Sequence, residues 1–145
     1  MVPAIIGEQV TRIEAANKGV ARQMTIANNV QIKSVVKREF VVGGDKKPGL
    51  SFDFTFSTKY GDTGSKVDVE GSIFFTDDKK KLDEIEKEWQ DKKKIEDEKL
   101  ILPVLNRALE IGYTQAIALA DQLRLPAPIQ MPKFVAKKAE KPRAG

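Results

Sequence analysis

Two runs of alternating apolar and polar residues, joined by a short turn-forming segment, constrain the fold of this chain most strongly. In the runs Leu50–Phe56 and Val67–Phe75 every second residue is apolar or glycine. Because successive strand residues point to opposite faces, each run predicts a strand with one buried and one solvated face. The Asp- and Gly-rich segment 61–65 between them predicts an antiparallel hairpin. Phe74 breaks the alternation and places an aromatic ring on the polar face.

The residues before this hairpin predict one helix and one further strand. We expect an amphipathic helix over residues 8–24, because apolar residues recur at helical spacing in and just before that segment: Ile6, Val10, Ile13, Val20 and Met24. A mostly period-two pattern predicts a strand over residues 29–42. The Gly-, Lys- and Pro-rich stretch 43–49 predicts a loop.

Two helices are predicted after the hairpin. Residues 77–99 include 18 charged residues among 23, which predicts a solvated helix over about 78–97 with a thin apolar stripe. Residues 100–125 predict a helix that is apolar on more than one face. A single sheet covers only one face, so another subunit, a bound client or the first helix must cover the rest. We therefore expect a homo-oligomer or a protein that binds other polypeptides.

The excess positive charge is confined to the end of the chain. The net charge is +4; residues 131–145 hold five basic residues and one acid, whereas the other 130 residues hold 20 of each sign. The stretch 131–145 lacks periodicity and is rich in Ala and Pro, so we expect a flexible basic tail on a single globular domain, residues 1–130. The tail is interpreted either as an arm that seeks anions or as a solubilising segment without a partner.

Composition excludes several classes of enzyme. The chain has no cysteine and no histidine, which removes disulfides, Cys/His zinc sites, thiol nucleophiles and imidazole bases. The segment Asp62–Ser65 matches the short signature of aspartic proteases, but it lies between two predicted strands and indicates a turn. We expect no enzyme activity, cofactor or metal. No apolar run approaches the ~20 residues that span a bilayer, so we expect a cytoplasmic protein without membrane insertion.

The order of elements resembles that of SecB-type export chaperones. The resemblance covers residues 29–134 and rests on a first strand at Val30–Phe40, the hairpin, and an apolar helix that ends in a proline-rich strap. The quoted matches at the end are Ile101-Leu102-Pro103, Arg107-Ala108, Leu125-Pro126 to Pro128, and Phe134. The resemblance implies an α+β fold, an antiparallel sheet of three to four strands packed with helices. It also implies dimers or tetramers that hold unfolded polypeptide in apolar grooves without ATP.

We therefore expect an ATP-independent, SecB-like holdase chaperone. Its predicted polypeptide-binding residues are Phe52, Phe54, Phe56, Phe74, Leu102, Leu105, Leu109 and Tyr113. The alternative is a ribosome-associated or RNA-bound structural protein anchored by its basic tail. In that case the residues that contact ribosomal RNA are Lys133, Lys137, Lys138, Lys141 and Arg143.

Overall fold

The computed structural model describes residues 3–19 and 24–128 of the 145-residue chain. Four strands are followed by two helices. The strands are β1 (Ala4–Ala16), β2 (Ile26–Val42), β3 (Asp45–Tyr60) and β4 (Lys66–Thr76), and the helices are α1 (Lys79–Lys92) and α2 (Glu98–Leu123). The predicted α+β class is confirmed, because the four strands form one antiparallel sheet and the helices pack on it.

The sheet has the strand order β1-β4-β3-β2, with every pair antiparallel. The predicted β3–β4 hairpin is confirmed, and β2 pairs with β3 along its whole length. The predicted loop at 43–49 is wrong. Only Gly43 and Gly44 form the turn, with φ values of 61° and 87° that glycine adopts without strain, so β3 already begins at Asp45.

Both helices pack on the same face of the sheet, where the even-numbered side chains of β3 lie. Phe52 and Phe54 pack there with Ile73 of β4 and with residues of both helices. Phe56 lies against Val69 and residues of α2. The opposite face, which we call the open face, has neither helix on it and carries the polar residues of the β3 and β4 alternation.

The predicted helix over residues 8–24 is wrong, because residues up to Ala16 belong to strand β1. The register of β1 against β4 shifts twice, so that Ile6 and Thr11 are extra residues of two β-bulges. Each bulge moves the following residues to the other face of the sheet. The apolar residues of β1 consequently lose their period of two and acquire a spacing that imitates a helix.

The predicted charged helix is too long at its end. Helix α1 stops at Lys92, because Lys93 adopts the left-handed conformation (φ 54°), and a short connection leads to α2. Asp97 caps α2 by accepting a hydrogen bond from the Lys99 backbone N–H (3.1 Å). The predicted apolar helix at 100–125 is confirmed with shifted ends: it spans Glu98–Leu123 and stops at Arg124 (φ 59°).

A short strap after α2 closes one end of the core. Leu125 is buried beside Tyr60 and Ala120, and the Tyr60 hydroxyl donates to the Pro126 carbonyl at 2.8 Å. The predicted basic tail, residues 131–145, lies outside the described residues. Within 3–19 and 24–128, no helix is long and apolar enough to cross a bilayer, and no cluster of acidic residues has the grouping needed to hold a metal ion.

Candidate polypeptide-binding edge of the sheet

Most of the predicted polypeptide-binding side chains lie in the core. Phe52, Phe54 and Phe56 are at most 1% exposed, because the helices cover them. Leu109 and Tyr113 of α2 are buried against the same face. An external polypeptide could reach these five side chains only after the helices had moved away from the sheet.

The other three predicted residues are dispersed. Phe74 is half-buried on the open face, where its ring packs on Phe40 with 5.1 Å between centroids. Leu102 and Leu105 are half-buried on α2. The structure therefore does not bring the eight predicted residues into one groove.

Strand β1 supplies an apolar surface that sequence analysis did not assign to binding. It is an edge strand, and it exposes Ile6 (38%), Val10 (38%) and Ile13 (43%). Val10 lies opposite Gly71 and Ile13 opposite Val69, so both point to the helix side of the sheet. We call these three side chains, with the unpaired outer edge of β1 in the described structure, the β1 edge.

Helix α2 runs alongside β1 and forms one wall of this edge. Near its start Arg107 makes an ion pair with Glu8, and at its end the Leu123 carbonyl accepts a hydrogen bond from the Asn17 side chain (2.8 Å). The two links follow the same order along β1 and along α2, so the helix and the strand run in the same direction. Val10 and Ile13 lie between the two links.

The opposite edge of the sheet, β2, also exposes large apolar side chains (Val36, Val41 and Val42), but it adds lysines. Its single bulge places Lys33 at the point where the register shifts, and Lys37 and Arg38 follow. Lys37 bonds to Asp83 of α1, which raises the pKa of the lysine. Both edge strands are bulged, but lysines on an edge strand oppose pairing with another chain. The two edges therefore differ in their capacity to accept an additional strand.

The charged residues of β1 are occupied by neighbours within the fold. Arg12 contacts Glu14 and Glu70, and Lys66 bridges Glu14 and Asp68, all on the open face. These ion pairs hold the charges over the sheet and away from its outer edge. The carboxylates of β4, which sequence analysis placed on the solvated face, are ion-paired there.

Asp53 forms the most organised polar group of the open face. It accepts hydrogen bonds from Ser34, Ser51 and Ser72 at 2.7–2.8 Å. Burial alone would raise the pKa of this carboxyl, but the three hydroxyl donors outweigh it and lower the pKa. The ionised carboxylate ties three neighbouring strands together, which is a structural role.

The segment resembling an aspartic-protease signature is the β3–β4 turn, as interpreted from the sequence. The Thr63 hydroxyl donates to the Tyr60 carbonyl (2.7 Å) and accepts from the Ser65 backbone N–H (3.1 Å). The Ser65 hydroxyl donates in turn to the Gly19 carbonyl (2.6 Å), which connects the turn to the end of β1.

The chain matches no protein-family model and no curated protein. The resemblance to SecB-type chaperones therefore rests on the residues quoted for it.

Proposed function

We propose that this protein is an ATP-independent holdase that binds unfolded polypeptide along the β1 edge. The observation that carries the proposal is that the edge strand β1, whose outer side pairs with no other described strand, exposes three large apolar side chains: Ile6, Val10 and Ile13. Their burial under a client would contribute about 25 cal/mol for each Å² removed from water. The proposal keeps the activity expected from the sequence. It moves the binding residues from the helix-covered face that carries Phe52, Phe54 and Phe56 to the β1 edge.

Binding without nucleotide is consistent with the local chemistry of the chain. The glycine pair Gly43–Gly44 forms the β2–β3 turn and is not followed by the Lys-Ser/Thr pair of a phosphate-binding loop. We further propose that the protein acts in the cytoplasm as a homo-oligomer. The outward face of α2 supports the homo-oligomer, because the apolar side chain of Ile117 is 45% exposed there.

The test is suppression of aggregation in the absence of ATP. A chemically denatured model substrate is diluted into buffer with wild-type protein, with Ile13→Lys or with Val41→Lys. Val41 is 70% exposed on the β2–β3 hairpin, so its variant matches the change in charge away from β1. We expect wild type and Val41→Lys to suppress light scattering and Ile13→Lys to suppress it poorly. Absence of suppression by a stoichiometric excess of wild type contradicts the proposal.

A second candidate function rests on the charge of the tail. Five basic residues and one acid in 131–145 favour contact with RNA phosphates, whereas the rest of the chain is neutral. Five contacts to a single strand give a log–log salt slope of about −3.5, from ~0.7 per phosphate. Ribosome co-sedimentation across a salt series tests this with full-length protein and a chain truncated after Phe134. Equal binding by the two proteins contradicts the tail as an RNA anchor.

A further inference from the structure

We infer that the client is held as a fifth strand of the sheet, paired through its backbone with the outer edge of β1. This inference rests on the proposed function and specifies its substrate class. The clients are extended segments of unfolded polypeptide with apolar residues at alternate positions and free backbone N–H groups. Selection by the backbone would admit many sequences, because every non-proline residue offers the same donor and acceptor.

The difference between the two sheet edges indicates where a strand can be added. β2 carries Lys33 in its bulge, and a lysine on an edge strand disfavours an added strand, whereas Lys37 of the same strand is ion-paired with Asp83 of α1. β1 has no lysine between Ala4 and Ala16, and its charges are held in ion pairs with α2 and β4. Within the described structure, β1 is therefore the edge strand without a lysine in its bulges, and the charges it has are paired with the fold.

The side chains beside the β1 edge determine which residues of a client are favoured. Val10 and Ile13 project to the helix side of the sheet, next to α2, and each is about two-fifths exposed. A strand paired with β1 directs alternate side chains to the same side. Apolar residues at those alternate positions would bury Val10 and Ile13 further, whereas the intervening residues would face the solvated open side.

The bulges of β1 favour a flexible client over a rigid one. The register shifts at Ile6 and Thr11 divide β1 into straight stretches, of which Gly7–Val10 and Arg12–Ala16 are the longest. A bulge bends its strand and increases the local twist. An unfolded chain can follow the bend at Thr11, whereas the regular edge strand of a folded protein cannot without distortion. The two stretches span ten residues, so we expect a client segment of about ten residues.

Backbone pairing is tested with matched N-methylated peptides and the full-length protein. The probe is a fluorescein-labelled ten-residue peptide of alternating Val and Thr, and its affinity is measured by fluorescence anisotropy. Two derivatives are N-methylated, one at every Val and the other at every Thr. In an added strand only every second residue directs its N–H group toward β1. The Val side chains are expected to point toward α2, and this orientation determines whether the Val or the Thr N–H groups face β1. We expect one derivative to lose at least tenfold in affinity and the other less than threefold.

The location on β1 is tested with variants of exposed residues. We expect Ile13→Lys to weaken binding of the unmodified peptide at least tenfold and Val41→Lys less than twofold. Ile13→Thr keeps a β-branched side chain and replaces the lysine variant in this test if that variant does not fold. We expect it to lower the affinity for the peptide about threefold. Thermal melts establish that each variant retains its structure.

Three outcomes would overturn the added strand. Equal affinities of the two methylated peptides would show recognition by side chains alone. Unchanged binding by a folded Ile13→Lys or Ile13→Thr protein would place the peptide elsewhere. The third outcome combines two results: the wild type is a dimer that Ile13→Lys converts to monomers, and the two methylated peptides bind equally. It would show that a second copy of the chain occupies β1. The holdase proposal survives the first outcome if aggregation is still suppressed in an Ile13-dependent way.

Discussion

Gly112 of α2 lies directly on the ring of Phe56 in β3, with no space between them for a methyl group. This contact seats the apolar helix on the aromatic face of the sheet. It explains how a row of phenylalanines that would suit a client-binding groove becomes the core of the domain. The contact thus buries the Phe56 ring, which a partner could reach only if α2 moved away from the sheet.

Gly112→Ala is expected to destabilise the fold. Alanine favours a helix interior by about 1 kcal/mol over glycine, but forcing a methyl group into a packed core costs ~1–3 kcal/mol. We expect a net loss of up to about 2 kcal/mol in the free energy of unfolding, measured by urea titration. Adding Phe56→Leu to the Gly112→Ala protein should cost less than Phe56→Leu alone. A stabilised Gly112→Ala protein would show that α2 is not seated on Phe56.

Two buried tyrosines provide a matched comparison. The Tyr60 hydroxyl donates to the Pro126 carbonyl, whereas the Tyr113 hydroxyl has no hydrogen-bond partner among the described residues. We expect Tyr60→Phe to cost about 1 kcal/mol and Tyr113→Phe to be neutral or stabilising by up to ~1 kcal/mol. Chemical denaturation of both variants measures this. A larger loss for Tyr113→Phe than for Tyr60→Phe would reverse the assignment of the two hydroxyls.

Asp53 should contribute a component of stability that acid removes. Its pKa is lowered in the folded protein, since the three serine donors outweigh the opposing effect of burial. The contribution is complete above the unfolded pKa of about 3.9 and disappears as the pH falls through the lower folded value. Urea midpoints measured from pH 6 to pH 2 should therefore fall less steeply in Asp53→Asn below about pH 4.

Asp62→Asn, in the exposed β3–β4 turn, is the control for this pH series. Its profile should follow that of wild type. An Asp53→Asn profile with the wild-type slope would mean that the serine cluster does not stabilise the ionised carboxylate.

The outward face of α2 should mediate oligomer formation. Ile117 is 45% exposed on a helix whose opposite face is buried against the sheet. We expect light scattering at micromolar concentration to give an oligomer for wild type and for Val41→Asp, and a smaller species for Ile117→Asp. A wild-type monomer at that concentration would contradict this expectation.

Alternation and helical spacing predict the central hairpin and helix α2 of this fold but not its edge strand β1. The β3–β4 hairpin follows from strict alternation, and α2 follows from a long apolar segment with caps. β1 does not, because its bulges give its helix-side residues spacings of 3, 2, 3 and 2. That mean spacing lies between a strand and a helix, and the residues concerned are Ile5, Glu8, Val10, Ile13 and Ala15. Bulges depend on strand pairing, which a single sequence does not display.

The burial of most of the predicted binding residues could not be foreseen for a related reason. The alternation in β3 correctly predicts that Phe52, Phe54 and Phe56 share one face, but it does not identify what covers that face. Packing of both helices on one side of the sheet decides this. The exposure of Val10 and Ile13 follows from the position of β1 at the edge, next to β4, and this strand order is not visible in the sequence.

Hydrogen–deuterium exchange of the backbone amides tests the central claim most directly. Exchange is followed in full-length protein, alone and with excess denatured polypeptide. Outward-facing amides of an unpaired edge exchange rapidly and become protected when a strand pairs with them. We predict that the outward-facing amides within Ala4–Ala16 exchange rapidly in the free protein and gain protection with the client, while the β2 edge is unchanged. Client-dependent protection confined to other segments, or full protection of β1 before a client is added, would contradict the account.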